Sequence, residues 1–336
     1  MSAQLHIAVD AMSGDRGPAA CVPAALAAAA EHPDVRFTLF GREADLVREL
    51  RQARPPNVVC AHADSVVEMT DHPRDALRRK KDSSMRRAVD LVKARQADAC
   101  VSAGNTGALM ATAHFVLKML PGVERPAIIS SIPSRGGQTF MLDLGANATC
   151  TPEQLRQFAV MGSVIAADQP GVHARPRVGL LNIGEEDIKG NETVQAAHNL
   201  LAAADINYIG FVEGHDIFAD SVDVVVTDGF TGNVALKTME GAARLIAEAM
   251  REEFTRSAGR KLGALIAAPA LKALRSRLDP RRYNGASMVG LNGVVIKSHG
   301  SADVFAFQRA IEVAILEARD DVPARIAERL GGAASA

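Results

Sequence analysis

A repeated local unit constrains the fold of this chain more than any other feature. The unit is a short apolar run, then a glycine-containing turn, then the start of a helical pattern. The clearest example is residues 99–101, followed by SAGNTGALM at 102–110 and a helical pattern that continues to about Leu120. Residues 222–226 and the GFTGN turn at 229–233 form another. Strands that alternate with helices predict right-handed crossovers and an α/β fold, with a mostly parallel sheet between helices on both faces.

Composition limits the class of protein. The chain has 336 residues, of which 48% are hydrophobic, so it could hold one large domain or two, and we predict a single α/β domain over 1–336. A net charge of −1 and 4% aromatic residues argue against nucleic-acid binding. The four cysteines have no CxxC or His-spaced partner, which indicates free thiols in the cytoplasm and no zinc site. We expect no signal peptide and no membrane-spanning run.

The turn at 102–107 is a candidate anion site. Gly104 and Gly107 let the backbone approach a ligand closely, and Asn105 or Thr106 can cap the helix. The first amides of a helix have no internal partner and carry partial positive charge, so they attract anions. The alternative is an ordinary capped turn between a strand and a helix.

Other polar turns follow predicted strands. Ligands bind beyond the carboxyl ends of parallel strands, and we expect these turns to converge at one edge of the sheet. Besides Ser102, the candidate binding residues in these turns are Asp10, Gly14, Asp15, Asp143, Gly145, Asn147, Glu185, Lys189, Asn191, Asp228, Gly229, Gly232, Asn233 and Lys237.

A basic run precedes a predicted helix start. Residues 74–95 contain nine Lys or Arg and three Asp or Glu, and Ser83 or Ser84 can cap the helix that begins near Met85. Such a run suits phosphate or a phosphorylated ligand, with Lys81 and Arg86 as contacts. A solvated charged face is the equally weighted alternative.

Residues 248–284 differ from the rest in being rich in Ala, Leu and Arg. Basic residues flank KLGALIAAPALKAL, which Pro269 interrupts, and we predict a protruding helical hairpin. This composition suits a membrane surface or an acidic partner, and equally a dimer interface or a core helix. The candidate contact residues are Lys261, Lys272, Arg275, Arg277, Arg281 and Arg282.

Several catalytic signatures are missing from the sequence. It contains no GxSxG, no HExxH and no Walker A motif. An anion cradle without an obvious protein nucleophile remains, which suits a reaction in which the bound anion attacks. Asp216 and Asp220 have helical spacing, but there is no GxGxxG in a strand–helix context for a nicotinamide cofactor.

Six motifs in order resemble one family. VDAMSGD, KKDSSMR, VSAGNTGALM, LDLGAN, LNIGEEDIKGNE and DVVVTDGFTGNVALKTMEG, from Val9 to about His299, are similar to the phosphate acyltransferases of bacterial phospholipid synthesis. Ser13 departs from the family, which usually has Gly there, and this puts the backbone contacts of the first turn in doubt.

The resemblance implies a function and a fold. The family transfers a fatty acyl group from acyl carrier protein to inorganic phosphate, and the acyl phosphate then acylates glycerol 3-phosphate. Its fold resembles those of isocitrate and isopropylmalate dehydrogenases and phosphate acetyltransferase. Members need no cofactor, form homodimers and associate peripherally with the membrane, where glycerol-3-phosphate acyltransferase is a candidate partner. The protruding segment of the family corresponds to 248–284.

These implications assign roles to residues. We expect Lys189 to be the principal cation at phosphate or oxyanion, with Lys81 and Arg86 secondary. The amides of 104–106 and 229–233, which include Asn105 and Asn233, are the candidate oxyanion donors. Asp10, Asp143 and Asp228 are expected to orient loops and cations. A coenzyme-A-dependent phosphate acetyltransferase, an NAD-linked decarboxylating dehydrogenase and a membrane-bound scaffold are the competing interpretations.

Overall fold

The computed structural model describes residues 4–50, 54–167, 169, 172–186 and 188–332, and in this part of the chain eleven strands form one sheet. The strands are β1 His6–Asp10, β2 Arg36–Gly41, β3 Val58–His62, β4 Ala99–Ser102, β5 Ala127–Ser134, β6 Gly137–Leu142, β7 Arg177–Leu181, β8 Asn207–Val212, β9 Val224–Val226, β10 Ala286–Val289 and β11 Val294–Lys297. The helices are α1 Pro18–Glu31, α2 Glu43–Leu50, α3 Pro73–Arg79, α4 Ser84–Lys93, α5 Thr106–Leu117, α6 Pro152–Ala167, α7 Glu192–Ala202, α8 Gly229–Thr255, α9 Ala258–Arg277, α10 Val304–Arg319 and α11 Val322–Gly332.

The sheet consists of two parallel halves that run in opposite directions. Its strand order is β3-β2-β1-β4-β11-β10-β5-β6-β9-β7-β8. The strands from β3 to β11 are parallel to one another, and so are those from β6 to β8. Between the halves, β10 is antiparallel to both of its neighbours and β5 is antiparallel to β6. The predicted α/β class with a mostly parallel sheet is confirmed.

The expectation that the strand-end turns converge at one edge is wrong. The connection from β5 to β6 spans only residues 135–136, which is too short for a crossover and forces an antiparallel pair. The carboxyl ends of β1, β4 and β11 therefore point one way, and those of β6, β9 and β7 point the other way.

The two sets of strand ends nevertheless lie at the same level of the sheet. Val101 pairs with Ile296, which pairs with Ser287, and the register continues through Ile129 to Leu142. The turns that follow β4 and β6 therefore begin at the same level of the sheet and leave it in opposite directions. These two strands are four strand spacings apart, which is roughly 19 Å at about 4.8 Å per spacing.

Helices cover both faces, and one face carries the elements that matter for the site. A hydrophobic cluster on this face includes Met85 of α4 and Leu109 of α5, with Leu236 of α8 packed against it. On the opposite face, α1 and α10 cover one half of the sheet and α6 and α11 the other. The N-termini of α5 and α8 therefore follow opposite sets of strand ends on a shared face.

Helices α8 and α9 follow one another with a two-residue connection, and together they span most of the predicted segment 248–284. Helix α8 has 27 residues, and only Gly229 and Gly232 in its first turn and a half are buried. Residues 256–257 connect it to α9, whose first turn Ser257 caps by accepting a hydrogen bond from the Arg260 amide. None of the helices described has both the length and the apolar character needed to cross a membrane.

Candidate active site

The first cluster of polar groups lies at the carboxyl ends of β1, β4 and β11. Asp10 is 2% exposed, and its Oδ2 accepts a hydrogen bond of 2.6 Å from the Ser102 hydroxyl. Burial raises the pKa of this carboxyl, and the hydroxyls of Ser102 and Ser84 and the ammonium of Lys297 oppose that rise. Among the described residues, no group binds Asp10 Oδ1 or the Ser84 hydroxyl in good hydrogen-bond geometry.

The N-terminus of α5 adjoins this cluster. Asn105 is the N-cap, because its side chain accepts from the Ala108 amide at 2.9 Å, while Thr106 is the first helical residue. The Asn105 amide group also donates to the carbonyls of Met69 and Asp71. Thr106 and Gly107 are exposed, and as the first two helical residues they have amides without an intrahelical acceptor. This helix end can therefore receive an anion.

The Gly104 amide is not available as an oxyanion donor, which corrects the sequence-based assignment. It donates to the Ser102 hydroxyl at 3.1 Å inside the turn. Gly104 is needed for a different reason: a Cβ there would lie 2.6 Å from Cε of Met85. The turn is thus packed directly against α4, and its glycine allows that close approach.

The turn after β1 tolerates the serine that departs from the family pattern. The Ser13 hydroxyl donates to the Asp10 carbonyl at 2.7 Å and accepts from the Ala103 amide at 2.8 Å. Gly14 has a φ of 81°, and the Asp15 amide donates to the Gly300 carbonyl at 2.8 Å. Ser13 therefore adds a link between the first turn and the turn after β4, and the backbone contacts of the first turn are present.

Sequence reasoning missed the turn that follows β11. Lys297 is the last residue of this strand, and its neighbour Ser298 donates through its amide to the Ser102 carbonyl at 2.9 Å. Partial burial lowers the pKa of His299. The charges of Lys237 and Lys297 lower this pKa further, and the charge of Glu240 raises it. The sequence does contain a pattern that could have identified this turn. A polar, glycine-containing turn follows an apolar strand, as it does in the other turns.

The basic run contributes less than the sequence suggested. Ser83 caps α4, while Ser84 is buried beside Asp10. Arg86 pairs with Asp90 at 2.9 Å along the same helix, and Lys81 is exposed. The neighbouring Lys80 instead anchors the segment, since its ammonium bonds to Val66 O at 2.7 Å and to Asp71 Oδ2 at 2.5 Å.

The second cluster lies at the carboxyl ends of β6 and β9. Asp143 has no exposed surface, and its carboxylate accepts hydrogen bonds from the amides of Ile128, Ala146 and Asn147 at 2.7–3.0 Å. The Asn147 side chain donates to it at 2.9 Å. Burial raises the pKa of Asp143, and these hydrogen bonds oppose the rise. These hydrogen bonds hold Asp143 to the backbone of its own turn.

The N-terminus of α8 completes the second cluster, and the side chain of Asp228 caps this helix end. Asp228 accepts from the Thr231 amide at 2.9 Å and from the Thr231 hydroxyl at 2.8 Å. The Gly229 amide donates to Asn147 O at 2.7 Å and the Gly232 amide to Asp228 O at 2.9 Å. The amides of Gly229, Thr231 and Gly232 are therefore already engaged, which corrects their assignment as oxyanion donors.

Asn233 and the loop after β7 stand beside this helix end. Asn233 is exposed, and its side chain lies 3.5 Å from where a Cβ on Gly145 would be. Asn191 caps α7, accepting from the Val194 amide at 2.9 Å. Glu185 and Lys189 are exposed, and Lys189 forms no ion pair with any other described residue. Lys189 is therefore an exposed cation in the loop that follows β7.

Helix α8 connects the two clusters. It begins at the second cluster and carries Lys237 to the first, where the charge of Lys237 acts on both Lys297 and His299. Nine residues separate Asp228 from Lys237, which is roughly 14 Å along a helix. Lys237 itself pairs with Glu240 at 2.9 Å, an exposed pair of small strength.

The cations of the protruding segment divide into engaged and open ones. Arg281 pairs with Asp279 at 2.6 Å and with Asp303 at 2.8 Å, and its side chain remains 46% exposed. Arg277 donates to the Arg135 carbonyl and Arg282 to the Ser276 hydroxyl. Lys261 and Lys272 are exposed. The side chain of Arg275 lies outside the described part of the structure.

The cysteine thiols of this chain are not activated as nucleophiles. All four cysteines are free, and burial raises the pKa of each thiol, to about 12 for Cys150. In the described residues, no group of His, Cys, Asp and Glu is placed to hold a metal ion. What the two clusters do offer is amides, ammonium groups and hydroxyls for an anionic ligand.

Comparison with solved structures identifies the class of fold. A phosphotransacetylase from Streptococcus pyogenes superposes with a TM-score of 0.61 at 15% identity, covering 95% of each chain. The phosphotransacetylase EutD from Staphylococcus aureus gives a TM-score of 0.58 at 16% identity, covering 94% of each. The chain therefore has the α/β fold of these enzymes.

Comparison with protein families identifies the particular one. A family model described as fatty acid synthesis protein matches residues 5–325. The phosphate acyltransferase of Methylococcus capsulatus is 56% identical over 328 residues, 96% of each chain. That of Alkalilimnicola ehrlichii is 56% identical over 334 residues, 98% of this chain and 97% of its own. The chain belongs to the phosphate acyltransferase family, and its activity is that of a phosphate acyltransferase in fatty acid and phospholipid synthesis.

Proposed function

We propose that this enzyme transfers a fatty acyl group from the thioester of acyl carrier protein to inorganic phosphate. A phosphate oxygen attacks the thioester carbonyl carbon, the carbon–sulfur bond breaks, and the carrier thiolate leaves and takes up a proton. The products are an acyl phosphate and free carrier protein. The observation that carries the proposal is the near full-length match to phosphate acyltransferases, at 56% identity.

Direct attack by phosphate, without an acyl-enzyme, agrees with the side chains present. The cysteine thiols are held protonated by burial, so none of them is an activated nucleophile. Holding phosphate beside the thioester replaces a bimolecular encounter, and a well-oriented pair can gain about 7–11 kcal/mol. Oxyanion donors can contribute about 3 kcal/mol each.

We place the reacting groups along the first turns of α8, between the two clusters. The amides of the exposed residues Thr106 and Gly107, together with Lys237, whose charge acts on Lys297, form one anion-binding side. Lys189 and Asn233 form the other side, at the start of the helix. Lys189 remains our candidate for the principal cation, and Asp228 holds the helix end in place through Thr231.

The experiment for the overall reaction is phosphate-dependent formation of acyl phosphate. Long-chain acyl carrier protein is incubated with the enzyme and phosphate, and the product is trapped with hydroxylamine while free carrier thiol is measured. The expected result is equal amounts of hydroxamate and thiol, both dependent on phosphate. Acyl coenzyme A in place of the acyl carrier protein tests the acetyltransferase alternative. Isolation of a radiolabelled acyl-polypeptide as an obligatory intermediate would rule out direct attack.

A lysine variant tests the proposed reacting centre. Lys189→Ala should lower kcat/KM at least a hundredfold, because an open ammonium beside a developing oxyanion is lost. Lys93→Ala, at the exposed end of α4, is the matched control and should keep wild-type activity. Wild-type rates for Lys189→Ala would remove this residue from the mechanism.

Partners beyond the substrates belong to the same proposal. We expect a homodimer that associates peripherally with the cytoplasmic membrane surface, where glycerol-3-phosphate acyltransferase can receive the acyl phosphate. The support in this chain is the protruding hairpin, whose side chains Leu262, Leu265 and Ile266 are exposed next to Lys261.

A further inference from the structure

The first cluster contains a buried ammonium group. Lys297 ends β11 and is 8% exposed, although its side chain is charged and flexible. Its Nζ donates to the Ala103 carbonyl at 3.4 Å and to the Ser298 carbonyl. Among the described residues, no carboxylate forms a hydrogen bond with this ammonium, and burying an ammonium group in that state is costly.

Lys297 connects the turns that form the anion-binding side. Ala103 precedes the Gly104 turn and Ser298 begins the turn after β11, so one ammonium binds both turns. The Ser298 amide bonds in addition to the Ser102 carbonyl. The turn after β1 joins the same assembly, since the Asp15 amide donates to the Gly300 carbonyl.

Charged groups surround Lys297 from three elements. Asp10 at the end of β1 and Asp15 in the following turn attract its charge, while Lys237 of α8 opposes it. His299 lies two residues further along the same turn, and its own titration responds to the charge of Lys297. Two acids, two lysines and a histidine therefore form one electrostatic unit around the N-terminus of α5.

We propose that Lys297 is a positioning residue for phosphate: its ammonium holds the turns after β4 and β11 together and keeps a fixed positive charge behind the amides of Thr106 and Gly107. This inference rests on the proposed function, because it assigns phosphate to that helix end. It does not place Lys297 in contact with substrate, since its ammonium is already bound to two carbonyls.

The proposal has a pH signature. Burial lowers the pKa of Lys297 to about 8, with Lys237 adding to the lowering and Asp15 and Asp10 opposing it. Below that pH the ammonium is present, and above it the charge and one hydrogen-bond donor are lost. Affinity for phosphate should therefore fall as the pH rises through about 8, with a smaller effect on kcat at saturating phosphate.

The experiment measures the KM for phosphate from pH 6.5 to pH 9.5, in the wild-type enzyme and in Lys297→Met and Lys297→Arg. Lys297→Met should raise the KM at pH 7 at least tenfold and remove the alkaline loss of affinity. Lys297→Arg keeps its positive charge over the whole pH range, so it should also lack the alkaline loss of affinity. Any pH dependence of the KM that remains in this variant reports the ionisation of phosphate itself. Melting temperatures report whether each variant is folded.

Two results would overturn the proposal. One is a folded Lys297→Met enzyme with the wild-type KM and the wild-type alkaline limb. The other is a wild-type KM for phosphate that stays constant from pH 7 to pH 9.5. This result needs no variant, so it would overturn the proposal even if neither variant folds. Phosphate-induced stabilisation of the wild-type protein, measured over the same pH range, separates this inference from the proposed reaction, because it needs no turnover.

Discussion

Asp10 and Asp143 occupy corresponding positions after strands of the two sheet halves, but their surroundings give them different roles. Asp143 accepts hydrogen bonds from three backbone amides and one side chain, so its lone pairs are used to fix a turn. Asp10 accepts a hydrogen bond from the Ser102 hydroxyl and lies in the electric field of Lys297. The sequence identified both as strand-end acids, yet only the folded backbone shows which one binds its own turn.

Glu317 is a buried carboxyl that belongs to neither cluster, and it should make stability depend on pH. It lies on α10 and is 4% exposed, and its carboxyl group accepts a hydrogen bond of 2.8 Å from the Ser287 hydroxyl on β10. Burial raises its pKa from 4.5 to about 7. Between those values the folded protein holds a proton that the unfolded chain releases, so stability falls as the pH rises from about 4.5 to 7 and is constant above.

Glu317→Gln should remove this loss. The amide keeps the shape and can still accept from Ser287, but it carries no charge, so the variant should melt several degrees higher than wild type at pH 8. The gain corresponds to an upper bound on the order of 3 kcal/mol and should shrink towards pH 5. Glu328→Gln, exposed on α11, is the control and should change the melting temperature little at either pH. A difference between Glu317→Gln and wild type that is the same at pH 5 and pH 8 would contradict the assignment.

At the scale of elements, locally encoded features were predictable from the sequence and sheet direction was not. Caps at Asn105, Ser83 and Asp228 follow from short-range hydrogen bonds between a side chain and amides three residues on. The reversal between sheet halves depends on the β5–β6 hairpin and on β10, whose pairing joins residues distant in sequence. Strand periodicity is the same in either direction, so the separation of the site into two clusters could not be predicted.

The packing of α8 on the turn after β6 depends on one glycine. A Cβ on Gly232 would lie 2.0 Å from the carbonyl oxygen of Asp143, a distance that real atoms cannot adopt, so the helix would have to move. Gly232→Ala should therefore lower the melting temperature and disturb the second cluster, including Asn233. The loss of kcat/KM should exceed tenfold, because a shift of about 1 Å in a site can cost roughly a hundredfold.

A second glycine on the same helix provides the matched control. Nothing lies within 4 Å of a Cβ built on Gly241, which is exposed. Gly241→Ala should stabilise α8 by roughly 0.5–1 kcal/mol through helix propensity alone, with activity unchanged. Calorimetry and the acyl phosphate assay test both variants, and equal melting temperatures for the two would show that the close approach at Gly232 is unimportant.

For the whole molecule, the hairpin of α8 and α9 is the feature that the sheet does not explain. None of the described side chains of α9 is buried. The apolar side chains of Leu265 and Ile266 are 74% and 77% exposed, and those of Leu245 and Ile246 on α8 are also exposed. Single exposed apolar side chains are normal, but several large ones on two consecutive helices are typical of a surface that binds a partner or a membrane. The Ala, Leu and Arg content of 248–284 departs from the rest of the chain, but composition does not define which partner covers these exposed side chains.

We expect anionic lipid to cover the tip, because exposed Lys261 and Lys272 flank the apolar side chains. The double variant Leu265→Glu and Ile266→Glu should bind vesicles containing phosphatidylglycerol at least tenfold more weakly, since each apolar side chain contributes about 1.5–3 kcal/mol when buried. Val47→Glu places the same charge at an exposed apolar site on α2 and should bind like wild type. Sedimentation velocity distinguishes the alternative: a variant that dissociates into monomers while retaining vesicle binding would show that the apolar tip packs against a second subunit instead of lipid.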